Sequence, residues 1–106
     1  MIDRGALLAA LETAATGLAD ATPAAGADGA MTWTRAGARF AVLRGGGVDL
    51  RVGAVIGAAA MRTPDTVASA EGPDWVTFAP ATLDDHALDR LRAWFTAAHR
   101  RASPGG

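Results

Sequence analysis

Residues 31–52 read MTWTRAGARFAVLRGGGVDLRV, and this stretch decides the fold. It contains three short runs rich in apolar or β-branched residues, namely Met31–Arg35, Arg39–Leu43 and Val48–Val52. The glycine-containing segments between the runs have the length of hairpin turns. In the third run apolar residues alternate with Asp49 and Arg51, which is typical of a half-buried strand. We expect a three-stranded meander in which Asp49 and Arg51 point away from the covered face.

Helical segments flank the meander. Residues 2–20 place Leu7, Leu11 and Leu18 on one stripe, which predicts an amphipathic helix. Ala54 to Arg62 shows no alternation and predicts a short helix of small residues, ended by the proline two positions later.

The last helix has the clearest pattern. Thr82 and Asp85 have capping-box spacing and predict where it begins. Its apolar face predicts that four residues are buried against the sheet: Leu88, Leu91, Trp94 and Phe95.

Two segments lack either period. Residues 21–30 contain only Ala, Thr, Pro, Gly and Asp, so we expect a flexible loop there. Residues 63–73 form a polar connection to a fourth strand at Asp74–Ala79. The order α-β-β-β-α-β-α predicts an α+β two-layer sandwich, with three helices and a mainly antiparallel four-stranded sheet. We expect one domain over residues 1–102 and a disordered tail over 103–106.

Composition narrows the class of protein. The 106 residues suffice for one small domain, and the net charge of −1 argues against a nucleic-acid binder that relies on bulk electrostatics. The absence of Cys excludes disulfides and thiolate catalysis. The longest uncharged apolar stretch, Val52–Met61, is too short to cross a membrane. The N-terminal apolar run, Ala6–Leu11, is short for a signal peptide, and we expect a cytoplasmic protein.

The usual catalytic and metal-binding patterns are weak. His86 and His99 lie on one predicted helix about 20 Å apart and cannot share an ion within one chain. The acids around His86 are better explained as a solvated first turn that complements the helix dipole. Ser69 lies in no nucleophile elbow. The sequence therefore predicts no metal site and no cofactor.

One segment is unusually polar for so apolar a chain. It starts at Arg62-Thr63-Pro64-Asp65-Thr66 and continues through Ser69 and Gly72 to Asp74-Trp75. One interpretation is a preorganised polar lip that binds a ligand. Its candidate ligand-binding residues are Arg62, Asp65, Thr66, Ser69 and Trp75. The other interpretation is a structural clasp in which Arg62 pairs with Asp65.

The same residues belong to a recognisable pattern. It consists of Val48-Asp49-Leu50-Arg51, Ala59-Ala60, Arg62-Thr63-Pro64-Asp65-Thr66, Ser69, Gly72, Asp74-Trp75-Val76, Phe78, Pro80, Leu88-Asp89-Arg90, Ala93-Trp94-Phe95 and His99-Arg100. In this pattern, which covers about half the chain, the sequence resembles the bacterial branch of the luciferase-domain family, small proteins grouped with the fungal luciferases. Glu71 stands where that family leads us to expect a basic residue, and His99 where it leads us to expect an aromatic one. Glu71 is expected to weaken an anion site near the motif.

Three functions remain open at this point. The first is a non-enzymatic domain that binds a small-molecule ligand or a protein partner through the polar lip. The second, implied by the resemblance, is a cofactor-independent oxygenase, for which Asp65 or Asp74 is the local candidate general base. The third is a structural subunit that forms a homodimer through its sheet. An apolar pocket beside Asp65 would favour the second, and a flat, exposed apolar sheet the third.

Overall fold

The computed structural model describes residues 3–26 and 28–102. In these residues three helices accompany six strands, so the α+β class is confirmed while the four-stranded count is wrong. The elements are α1 (Arg4–Thr16), β1 (Thr22–Ala25), β2 (Met31–Arg35), β3 (Ala38–Arg44), β4 (Gly47–Leu50), α2 (Ala54–Ala60), β5 (Thr66–Ala68), β6 (Val76–Phe78) and α3 (Asp85–Arg101). The expected tail at 103–106 lies outside the described residues.

The strands form one antiparallel sheet with the order β1-β2-β3-β4-β6-β5. The predicted meander is its centre, and both unexpected strands are its edges. Strand β1 lies in the segment 21–30, for which the sequence predicts a loop, and β5 lies in the predicted polar connection 63–73. All four residues of β1 are exposed, and Pro23 is tolerated because an edge strand leaves one row of backbone groups unpaired. Both edge strands form through backbone hydrogen bonds, which do not require a recognisable pattern of side chains.

A β-bulge shapes the core side of the sheet. The register of β3 against β2 shifts between Trp33 and Thr34. As a result Phe40 and Ala41, which are neighbours in sequence, both belong to the buried core. Phe95 on α3 meets Trp33 and Phe40 edge-to-face, with ring centroids 5.7 Å and 5.2 Å apart.

Helices α1 and α3 pack on one another, and α3 packs on β3 and β4. Leu91 and Phe95 are fully buried as expected, whereas Leu88 and Trp94 are only half-buried. Trp94 still contacts the core, because its ring lies edge-to-face on Phe78. The helix begins later than the expected capping box, since Asp84 is the N-cap and accepts a 2.9 Å hydrogen bond from the Ala87 amide.

The other face of the sheet turns away from the helices. In the central register Val48 pairs with Phe78 and Leu50 with Val76, and all four are core residues. Asp49, between them, pairs with Thr77 and therefore lies on the opposite face, which confirms the orientation expected of Asp49, whereas Arg51 lies beyond the end of the strand. We call this opposite side the outer face. Within the described residues, no helix is long and apolar enough to cross a membrane.

Candidate functional site

Asp49 is the centre of a polar cluster on the outer face. Its carboxylate accepts hydrogen bonds from Arg44 (3.0 Å), Ser69 (2.9 Å) and Thr77. Only 8% of the residue is exposed, so the polar position of an alternating strand is buried here rather than solvated. Its donors come from β3, from β6 and from the connection between β5 and β6. Asp49 therefore ties this connection to the middle of the sheet.

Glu71 makes the second tie between the connection and the sheet. Its carboxylate bridges two arginines of β3, with 3.2 Å to Arg39 and 2.8 Å to Arg44. Its backbone amide donates to the Ser69 hydroxyl at 3.1 Å. Partial burial raises the pKa of Glu71, but the hydrogen bonds from Arg44 and Arg39 outweigh burial and leave that pKa below its usual range. The hydrogen bond with Glu71 in turn raises the pKa of Arg44.

The residues at the start of the predicted lip lie apart from this cluster. Arg62 is exposed and, among the described residues, has no ion pair with Asp65 or any other acid. Asp65 is exposed as well and has a φ of +68°, and its carbonyl accepts from the Ala79 amide at 2.8 Å. Asp65 thus forms the turn into β5, a conformation that Asp tolerates better than most residues. The clasp between Arg62 and Asp65 is not formed.

The other three lip residues have separate roles. Thr66 is buried in β5, where its hydroxyl lies 3.0 Å from the Thr63 hydroxyl. Ser69 donates to Asp49, as described above. Trp75 lines a concavity, and Arg62, Asp65, Thr66 and Ser69 are not among its lining residues. The structure therefore places the five candidates in different surroundings, and of these five Trp75 is the one that lines this concavity.

The concavity at Trp75 has a volume of about 390 Å³ and is called the Trp75 groove below. Its lining consists of Ala38, Arg39, Arg51, Glu71, Gly72, Pro73, Asp74 and Trp75. The Arg39 guanidinium lies over the half-buried Trp75 ring, 5.7 Å from the centroid. The Trp75 amide donates to the Gly72 carbonyl at 3.2 Å, and Gly72 has a φ of +149° that favours glycine. This turn holds the indole at the wall of the groove.

A second concavity, of about 450 Å³, adjoins the groove and shares Arg51 with it. We call it the arginine cleft, and its lining consists of Arg51, Val52, Ile56, Ala97, Arg100 and Arg101. Arg101 reaches across to Asp74 of the groove at 3.4 Å. The two concavities therefore adjoin at Arg51 and at the ion pair between Arg101 and Asp74.

Sequence reasoning found the Trp75 segment but missed most of its surroundings. Arg39 comes from β3, Arg51 directly follows β4, and Arg100 and Arg101 come from the end of α3. The sheet order brings them to Trp75, because β4 lies between β3 and β6. The alternation in β4, which places Asp49 and Arg51 on one side, was the only signal of this arrangement.

The histidines and acids give no metal centre within the part of the chain that the structure describes. His99 is buried and structural. Its Nε2 lies 2.6 Å from the Ala19 carbonyl, and Arg35 donates to its carbonyl oxygen at 3.0 Å. The Phe40 ring packs edge-to-face against it. His99 thereby connects α3 to the segment that follows α1 and to β2.

Comparisons with protein families, with curated proteins and with solved structures find no match for this chain.

Proposed function

We propose that this protein is a non-enzymatic domain that binds a small molecule in the Trp75 groove. The observation that carries the proposal is the half-buried Trp75 ring, which forms a wall of a 390 Å³ concavity with charged side chains around it. Small-molecule sites typically have such a volume and combine an aromatic surface with a few fixed polar groups. The groove offers a ligand the Trp75 indole, over which the Arg39 guanidinium lies, and a second guanidinium at Arg51.

The groove is held in shape before any ligand binds. Glu71 fixes Arg39 at 3.2 Å, and the Asp49 cluster fixes the connection that carries Glu71 and Trp75. A preorganised site loses less conformational entropy on binding than a mobile one. The ion pairs of Glu71 thus support the proposal, although the sequence led us to expect that this residue would weaken a site.

The oxygenase alternative has less support. It needs a general base beside an apolar pocket, and Asp65 lines neither the Trp75 groove nor the arginine cleft. Asp74 does line the groove, but it is paired with Arg101. A homodimer formed through the face of the sheet is also less favoured, because the middle of the outer face carries Asp49, Thr77 and Ser69 rather than a flat apolar surface.

The proposal includes membership of the luciferase-domain family and a cytoplasmic location. The family assignment rests on the sequence pattern, and several residues of that pattern have structural roles around the groove. Asp49 and Ser69 hold the connection on the sheet, Gly72 makes the turn, and Asp74 and Trp75 line the groove. Residues of the pattern therefore build the proposed site.

A thermal-shift screen with aromatic acids, nucleotides and small anions tests the proposal. A ligand that binds only the folded state at a hundred times its Kd adds about 2.7 kcal/mol of stability. We expect at least one aromatic compound to raise the Tm of the wild-type protein, and Trp75→Leu to abolish that increase. Arg62→Ala serves as the control, because Arg62 lies outside the groove, and it should keep the increase. A hit that Trp75→Leu retains in full would refute the proposed site.

A further inference from the structure

The arginine cleft concentrates positive charge in a protein whose net charge is −1. Three of the ten arginines line this one concavity, and the acid that contacts them is Asp74, 3.4 Å from Arg101. Arg51 and Arg100 form no ion pair with any described residue. An anion bound in the cleft would offset the repulsion among these like charges.

The Arg101 guanidinium packs against the backbone at Gly53. Gly53 is buried with a φ of +88°, and a Cβ placed on it would lie 2.9 Å from an Arg101 guanidinium nitrogen and 3.0 Å from its central carbon. The guanidinium therefore lies directly on the Gly53 backbone, whose positive φ itself favours glycine. The Gly53 amide donates to the Asp74 carbonyl at 2.9 Å, which joins this corner to the Trp75 groove.

The rest of the lining is apolar. Val52, Ala97 and Ile56 contribute to the wall, and Ile56 is 37% exposed. A cleft with guanidinium donors on an apolar wall suits the anionic group of an organic molecule better than a free inorganic ion. Its limited volume and the negative net charge of the chain argue against a nucleic-acid backbone as the occupant.

We infer that the ligand of the Trp75 groove is an organic anion, whose negative group lies in the arginine cleft while its planar part stacks on Trp75. This inference rests on the proposed function. Arg51 borders both concavities, so it can contact either end of such a ligand. Arg100 and Arg101 contact only the anionic end and therefore determine the charge preference.

The test compares two probes of the same shape, 2-naphthoate and the neutral 2-naphthamide, by NMR titration of the full chain. A guanidinium–carboxylate hydrogen bond contributes about tenfold or more to affinity. We expect the wild-type protein to bind naphthoate at least tenfold more tightly than naphthamide. The double variant Arg100→Gln/Arg101→Gln should remove most of that difference and leave the affinity for naphthamide unchanged, because these two arginines belong to the cleft alone. Arg92→Gln is the matched control, because Arg92 is an exposed arginine of the same helix that lines neither concavity, and it should keep the full difference.

The outcomes separate this inference from the proposed function. Equal affinities for the two probes in the wild-type protein would overturn the inference and leave the groove intact as a site. A preference for naphthoate that survives the double variant Arg100→Gln/Arg101→Gln would also overturn it, since the charge would then be recognised outside the arginine cleft. If neither probe perturbs the Trp75 resonances, the proposed function fails, and the inference fails with it.

Discussion

Substitution of Asp49 by alanine should destabilise the protein more than any other change on the outer face. The side chain is only 12% exposed and accepts from Arg44, Ser69 and Thr77. The two hydroxyl donors would each lose a hydrogen bond worth about 1 kcal/mol. Arg44 contributes less than a buried charge would, because its side chain is 48% exposed and keeps Glu71 as a partner. The expected loss is therefore about 3 kcal/mol in the free energy of unfolding.

Urea unfolding followed by tryptophan fluorescence measures this loss. For a small domain a change of 3 kcal/mol lowers the midpoint by roughly 1–3 M urea. Asp89→Ala is the control, because Asp89 is an exposed acid on α3 that forms no ion pair with a described residue, and it should change stability by less than about 0.5 kcal/mol. If Asp49→Ala unfolds within 0.5 kcal/mol of the wild-type protein, the cluster does not hold the connection on the sheet.

Four further predictions concern residues elsewhere in the structure and the ion pairs of Glu71. The lowered pKa of Glu71 contributes stability above its unfolded value of 4.5 that is lost as the pH falls through the folded value, so Glu71→Gln should flatten the acid side of the stability–pH profile, and parallel profiles would contradict this. Phe95→Ala should cost about 3–5 kcal/mol in urea unfolding, since the ring is fully buried, and a cost below 1 kcal/mol would mean that α3 is wrongly oriented. Because Asp65 has a positive φ, Asp65→Gly should be neutral or stabilising and Asp65→Val should cost about 1–3 kcal/mol, and an equal Tm for the two variants would be inconsistent with that turn. Arg62→Ala should change stability by less than about 0.5 kcal/mol, whereas a loss of several kcal/mol would indicate that Arg62 forms a buried ion pair.

The sequence predicts the parts of the fold that apolar periodicity encodes. The meander and the face of α3 around Leu91 and Phe95 follow from patterns of two and 3.6 residues. Strands β1 and β5 could not be predicted this way, since edge strands form through backbone hydrogen bonds and need no buried side chains. The start of α3 was misplaced because Thr82, Asp84 and Asp85 are all acceptable capping residues, and only the geometry selects Asp84.

The site shows a similar division. Trp75 could be singled out because an aromatic residue follows a run of polar ones. The contribution of Arg39 depends on the position of Glu71, and that of Arg101 on the space above Gly53, and neither contact is local in sequence. Arg62 and Asp65 lie near Trp75 along the chain. The pairing of β5 with β6 nevertheless places Asp65 beside Ala79, at the opposite end of β6 from Trp75.

The most direct test of the proposed groove uses the indole N–H resonances of the three tryptophans in a ¹H–¹⁵N NMR spectrum. Trp33 is fully buried and Trp94 packs on Phe78, so neither indole borders the groove, whereas Trp75 forms its wall. The Trp75→Phe variant assigns the resonance by its disappearance. Titration of 2-naphthoate should shift the Trp75 indole peak progressively to saturation and leave the Trp33 peak in place. A Trp75 peak that stays unmoved while naphthoate shifts other resonances would contradict the account.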